Sequence, residues 1–317
     1  MNDPRIRVSC IILSWNRKSD LSRVLSRLTA ASALPMQIIV VDNASTDGSI
    51  SMVAQEFPAV MCISLESNIG IAGWNAGMAA ACGDYMLLLD DDSYPIDPEY
   101  DKALRYLDEH EECGILALRV FNERDNRVET ATFPEGPVLS FVGCGVIIRR
   151  SLYQKIGGFD EELFLYEHEI EFSMRSWNAG YSTLYYSGLT VNHIASPIHR
   201  KPAGSTGSDC RRIYYTSRNI LYILLTRFPL RLVLFRAIRI ALGRSIASVL
   251  HGCGLNAVKG FLHGLRIGCS RKDHSARLSE AVCRMYGYGS YAGGFFFEDR
   301  TYTLARPFFL RRRPASE

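Results

Sequence analysis

The nine cysteines of this 317-residue chain contain no CxxC pair and no zinc-ligand spacing, which sets aside zinc ribbons and disulfide-framework folds. No internal repeat or low-complexity tract is present, so solenoid and disordered architectures are also excluded. The amino terminus, Met1-Asn2-Asp3-Pro4-Arg5, leads straight into an apolar run at Val8–Leu13. It lacks the long apolar core and small-residue cleavage site of a signal peptide. The expectation is a protein that is not exported and whose cysteines are reduced, mostly buried cytosolic thiols. No clean membrane span exists either: Arg231, Arg236, Arg239 and Arg244 interrupt the apolar run Leu230–Leu250, and crossing a bilayer takes roughly 20 predominantly apolar residues.

With 47% hydrophobic and 22% charged residues, the chain can bury a large core. Its net charge of +3 hides an opposition. Residues 1–210 hold 17 Lys and Arg against 28 Asp and Glu, whereas residues 211–317 hold 19 against 5. An acidic front and a basic back predict two regions, 1–210 and 211–317, with different partners.

Through the front, short β-branched runs alternate with helical patterns: strand Val8–Leu13, helix Ser19–Ala31, strand Gln37–Val41, helix Ser49–Glu56, strand Met61–Ser64, helix Ala72–Ala81 and strand Tyr85–Leu89. That rhythm predicts an α/β fold with a mostly parallel sheet flanked by helices. Further on, a strand is expected at Val142–Arg149, a helix at His168–Asn178 and a strand at Leu184–Val191, followed by a mobile Ser/Pro/Gly-rich loop at Ile194–Asp209. Ligands of such sheets bind beyond the carboxyl ends of the strands. Four polar segments fall there: Ser14-Trp15-Asn16-Arg17, Asp42–Gly48, Asn68–Asn75 and Asp90–Ser93.

The triplet Asp90-Asp91-Asp92, delivered by the strand Leu87-Leu88-Leu89, carries the most chemistry. Three adjacent like charges are tolerated near a pocket only if they stay wet or meet a cation. A divalent ion that bridges to a substrate phosphate fits, and a solvated turn is the simpler alternative. From Tyr214 onward the pattern becomes helical, apolar and arginine-rich. It suits an amphipathic region lying on a membrane surface, or a helical layer packed on the core or on another subunit. The interleaving of Arg with Leu, Ile and Phe argues against nucleic acid.

Several ordered motifs resemble the family-two inverting glycosyltransferases of the GT-A fold, in their rhamnosyltransferase-like branch. They are Ile12–Arg17, Val40–Ser49, Asn68–Gly77, Leu87–Asp92, Gly157–Glu161, Tyr166–Glu171, Val191-Asn192-His193 and Tyr214–Asn219. The resemblance covers about residues 6–222. It implies a nucleoside diphosphate sugar donor, a UDP- or TDP-sugar such as TDP-rhamnose, and a glycan or lipid-linked acceptor hydroxyl. It also implies Mg²⁺ or Mn²⁺ at a DxD signature and a cytoplasmic enzyme peripheral to the membrane.

By position, the resemblance assigns Ser14, Asn16, Asp42, Asn75 and Asp90 to the nucleotide, with Gly70 and Gly73 letting backbone approach it. Asp92 and His193 fall to the metal, and His168 and Arg218 to the acceptor or diphosphate. His199 and Arg200 are candidates for the diphosphate. The family's usual Glu-Asp pair is here His168-Glu169, which makes Glu169 the expected base, with Glu167 and His168 as substitutes. Plain structural roles compete for some of these residues: an Asx-turn for Asp42, helix capping for the acids near residue 169, a salt bridge for Glu171 and an acidic-surface contact for Arg218. A noncatalytic sugar-nucleotide or membrane-binding module is the alternative function. A nucleotidyltransferase is disfavoured because no glycine-rich phosphate loop with a basic residue stands near Ser14.

Overall fold

The computed structural model describes residues 6–31, 36–96, 100–196, 206–229, 253–271 and 277–287. The first half is a parallel sheet: β1 (Val8–Ser14) lies between β2 (Met36–Asp42) and β4 (Tyr85–Asp90), and β3 (Met61–Ser64) extends the far edge. The second half is mixed. β9 (Val146–Arg149) joins β4 and β6 (Cys113–Asn122) with antiparallel pairing on both sides, and β10 (Ser182–His193) continues parallel to β6. The short β5 (Ser93–Pro95) pairs antiparallel with the end of β10, so the strand order is β3-β2-β1-β4-β9-β6-β10-β5. Two further two-residue strands, β7 (Arg127–Val128) and β8 (Gly136–Pro137), pair with β6 and β10.

Alternation along the strands sends side chains into two layers. Cys10, Ile12, Leu87, Leu89 and Ile147 face a core closed by α1 (Lys18–Ala31), α2 (Ser49–Glu56) and α4 (Tyr100–Glu109). Ile11, Met86, Leu88, Val146 and Ile148 face the opposite core, covered by α3 (Trp74–Ala80), α6 (His168–Asn178) and α7 (Thr206–Arg227). α5 (Arg150–Ile156), α8 (Gly254–Ser270) and α9 (Glu280–Gly287) complete this layer. Each buried Leu or Ile stabilises the fold by about 1.5–3 kcal/mol.

The basic back of the chain is thus part of the main core where it is described: Ile220, Tyr222, Phe228, Ala257, Phe261, Val282 and Tyr286 are buried within the same cluster as Ile11 and Met86. α7 runs across the boundary drawn at residue 210. The expected loop at Ile194–Asp209 gives way to helix from Thr206 onward, and His199 and Arg200 lie outside the described residues, as do Leu230–Leu250. The expectation that the cysteines are all reduced is corrected: Cys210 and Cys253 form a disulfide that ties α7 to the start of α8. Nothing local marks these two residues as partners, since 43 positions separate them.

Candidate active site

β1, β2 and β4 end together. Parallel register sets Ser14 opposite Asp42 and Leu13 opposite Asp90, so three polar strand ends share one edge of the sheet. Ser14 and Asp42 are buried there. One Asp42 oxygen accepts the Ser45 N–H at 2.9 Å, the Asx-turn foreseen as its plain role. Its other oxygen, Oδ1, is buried with no hydrogen-bond partner, and an acceptor in that state suits an incoming N–H or hydroxyl. Asn16, in left-handed backbone at φ 53°, spends its side-chain oxygen on the Thr46 N–H at 2.7 Å.

The acid triplet divides its work. Asp91 and Asp92 turn inward and are buried. Arg17 bridges both, at 3.1 Å from Asp91 and 2.9 Å from Asp92. Asp91 also accepts from the Ser14 hydroxyl and the Trp15 N–H, each at 3.1 Å. Burial still pushes its carboxyl up to about 7; Arg17 pulls against this, and Asp92 and Asp90 add to the rise. The cation that the triplet needs is therefore partly Arg17, a residue to which sequence reasoning gave no role.

Asp90 is left at the mouth, beside Cys144 and His193. One ligand atom from each of the three lies within 4.8 Å of the others. The antiparallel pairing of β5 with β10 sets His193 opposite Ser93, bringing its Nε2 to 3.6 Å from Asp92 Oδ1. Its Nδ1 meets Glu129 Oε1 at 3.1 Å. An imidazole that donates Nδ1–H to a carboxylate presents Nε2 as a ligand, the usual support for a metal-binding histidine. This donor set fits a divalent ion. Asp90, assigned to the nucleotide, stands with the candidate ligands; Asp92, assigned to the metal, gives Oδ2 to Arg17 and to the Ser196 N–H at 3.1 Å and turns Oδ1 toward His193. Cys144 and Glu129 escaped sequence reasoning because nothing local ties them to the triplet.

Across the cleft, α6 opens with His168 and Glu169 after two consecutive left-handed residues, Tyr166 at φ 67° and Glu167 at φ 63°. Such backbone costs about 1–3 kcal/mol per residue and persists only where its surroundings enforce it. Asn219 does so, donating to the carbonyls of Leu165 and Tyr166 at 2.8 Å each. Gly70, at φ +67°, packs so closely that a Cβ there would strike the Phe164 carbonyl. A Cβ at Gly73 would likewise strike Leu13.

Glu169 keeps a quarter of its side chain exposed. Burial lifts its carboxyl to about 7, countered in part by its own N–H, by Arg212 and by the Gly143 N–H. His168 is buried between the rings of Trp74 and Phe159, at 6.0 and 5.5 Å. Burial lowers it to about 4, against the pull of Asp90 and Glu171. Its Nδ1 is 3.2 Å from Glu169 Oε2, yet neither ring nitrogen makes a hydrogen bond. A neutral imidazole therefore sits beside a carboxylate that titrates near neutrality.

Two expected contacts are placed elsewhere. Asn75 spends both amide atoms on the Phe159 backbone, donating to its carbonyl at 2.9 Å and accepting its N–H at 2.8 Å. Arg218 is buried against the Glu162 carbonyl at 2.6 Å and Asn219 Oδ1 at 2.7 Å, with Glu162 Oε2 at 3.4 Å. It serves the loop before α6, close to the acidic-surface contact foreseen as its plain role. Glu171 makes the salt bridge foreseen for it: Arg175 and Arg227 each approach its Oε1 at 2.7 Å.

Strand ends that gather carboxylates at one edge of a doubly covered sheet, opposite an acidic helix start, define a glycosyltransferase of GT-A type. The chain belongs to Glycosyl transferase family 2, whose model matches residues 9–171. It is 28% identical over 175 residues to the uncharacterized glycosyltransferase YwdF of Bacillus subtilis, an alignment covering 51% of this chain and 65% of that one. It is 23% identical over 251 residues to N-acetylglucosaminyl-diphospho-decaprenol L-rhamnosyltransferase of Mycobacterium tuberculosis, covering 64% and 81%. Among solved structures, the mannosyltransferase PcManGT from Pyrobaculum calidifontis, in complex with GDP-Man and Mn²⁺, shares the fold. Its TM-score is 0.54 at 18% identity, with 86% of this chain and 77% of that one covered.

Proposed function

We propose that this protein is an inverting transferase that moves a sugar from a nucleoside diphosphate donor to a hydroxyl of a lipid-linked or cell-surface glycan. The observation that carries the reading is Glu169: a part-exposed carboxylate on a strained helix start, raised to about 7 by burial and set against Gly143, next to Cys144. A general base works best when its pKa lies near the working pH. Glu169 takes the proton of the acceptor hydroxyl as that oxygen bonds to the anomeric carbon. The bond from that carbon to the diphosphate breaks on the opposite face, and its electron pair leaves with the nucleoside diphosphate. Asp42 Oδ1 is the acceptor for the base or ribose, beside Ser14 and Asn16. His168 stays neutral and bounds the acceptor side.

Asp90, His193 and Cys144 are the residues that would hold a divalent ion, with Glu129 orienting the histidine. When bound, such an ion neutralises the diphosphate and improves it as a leaving group. A thiol in the set favours Mn²⁺ over the harder Mg²⁺. The names of the mycobacterial relative and of the mannosyltransferase support a diphosphate-linked lipid acceptor and a nucleotide-sugar donor with Mn²⁺.

The test is release of nucleoside diphosphate from a panel of UDP-, TDP- and GDP-sugars with Mn²⁺ or Mg²⁺. Turnover of one donor, accelerated by a polyprenyl-diphosphate glycan and lost in Glu169→Gln, is the expected result. Donor binding without turnover under any of these conditions would favour the noncatalytic module.

A further inference from the structure

We infer that the outer face of α8 is a docking surface for an anionic lipid bilayer. Eight large apolar side chains are exposed among the described residues, and four of them share this helix: Leu255 at 76%, Val258 at 45%, Leu262 at 63% and Leu265 at 45%. Their spacing of three, four and three residues makes a single stripe along the axis. Lys259 and Arg266 are exposed one turn after Leu255 and Leu262, and the helix contains no Asp or Glu. An apolar stripe flanked by cations and free of acids complements a surface of acyl chains and negative headgroups. A protein partner would need acidic groups set around an apolar ridge; a bilayer offers that chemistry without a defined shape.

The face cannot turn inward. On the other side of α8, Gly260 and Gly264 lie against the α7 backbone, where a Cβ would strike the Tyr214 and Arg218 carbonyls. Ala257 and Phe261 are buried on that side. His263 Nδ1 is 2.6 Å from the Tyr214 hydroxyl, and the Cys210–Cys253 disulfide fixes the helix start. α7 in turn carries Arg218 and Asn219, which hold the 162–166 loop in front of Glu169. The stripe is therefore one rigid layer removed from the turn that positions the base. A bilayer against it would set the cleft at a fixed height above lipid headgroups, where a diphosphate-linked lipid acceptor presents its sugar.

This deepens the reading of a lipid-linked acceptor, but its test does not depend on turnover. The full chain is sedimented with phosphatidylcholine vesicles and with vesicles containing phosphatidylglycerol, alongside Leu255→Glu/Leu262→Glu and Lys259→Ala/Arg266→Ala. The wild type is expected to partition onto the phosphatidylglycerol vesicles and to be weakened by salt. The Leu-to-Glu pair should lose at least about tenfold, since burying one leucine is worth about 1.5–3 kcal/mol. The charge pair should lose several-fold on the anionic vesicles only. Acceptor-independent donor hydrolysis, read in parallel, should be unchanged in both variants.

Equal sedimentation of wild type and the Leu-to-Glu pair would overturn the inference. So would a concentration-dependent dimer that those substitutions dissociate, which would assign the stripe to a second copy. Vesicle binding without any donor turnover would retain the surface and remove the transferase reading; turnover without vesicle binding would do the reverse.

Discussion

Two buried charge clusters lie on either side of α6, and the difference between them separates chemistry from architecture. At the rear, Glu171 and Asp160 meet three guanidinium groups, from Arg175, Arg227 and Arg271. Burial opposes the charge on Glu171, but Arg175 and Arg227 outweigh it and hold the carboxyl below its ordinary value. At the cleft, Arg17 bridges Asp91 and Asp92, His193 is the further basic side chain described beside Asp92, and Glu169, two residues from Glu171, rises to about 7. A cluster rich in cations locks helices together. One short of them stores the capacity to take a proton or a metal.

Breaking the cleft side should show most in rate. Glu169→Gln is expected to lower kcat by about 10²–10⁴, the usual contribution of a positioned base, with donor affinity little changed. Measuring kcat separately from donor Kd checks this. Breaking the rear side should show in stability. Arg227→Ala leaves Glu171 with Arg175 alone and Asp160 without its closest partner, and removing one member of a buried pair costs about 3–5 kcal/mol. Urea unfolding followed by circular dichroism reads that loss.

A smaller effect sharpens the contrast. Because the folded-state pKa of Glu169 lies above its unfolded value of about 4.5, its stabilising contribution is present at low pH and lost as pH rises to about 7. Glu169→Gln should therefore be more stable than wild type at pH 8 by about 1–3 kcal/mol, and indistinguishable at pH 4. Urea midpoints at the two pH values decide it. The smallest effect is expected at Cys144. Cys144→Ser should narrow the preference for Mn²⁺ over Mg²⁺ by a few-fold and remove thiolate-to-metal charge-transfer absorption from the Co²⁺-loaded protein. An unchanged Co²⁺ spectrum would exclude the thiol as a ligand.

Much of this was legible in the sequence wherever a signal is local. α2, α6 and β3 run where their pattern placed them, the other front strands differ by a single residue at one end or both, and Glu171 found the salt bridge expected of it. What escaped is long-range. Arg17 reaches Asp91 and Asp92 across 74 and 75 positions, and His193 meets Glu129 across 64. Cys210 meets Cys253 across 43. The first follows from the pairing of β1 with β4, the second from the register of β10 on β6, and the third from the packing of α8 on α7; none of the three pairs leaves a periodic trace. The triplet announced a need for positive charge. Only the fold shows that Arg17 supplies it for two carboxylates and leaves the third beside His193 and Cys144.

The pH dependence of single-turnover sugar transfer, for wild type and Glu169→Gln, tests the central claim most directly. The account predicts that the wild-type rate falls below an apparent pKa near 7, as Glu169 takes up its proton, and that the variant is slow with no inflection there. An unchanged inflection in the variant, or a rate close to wild type, would contradict the assignment of Glu169 as the base.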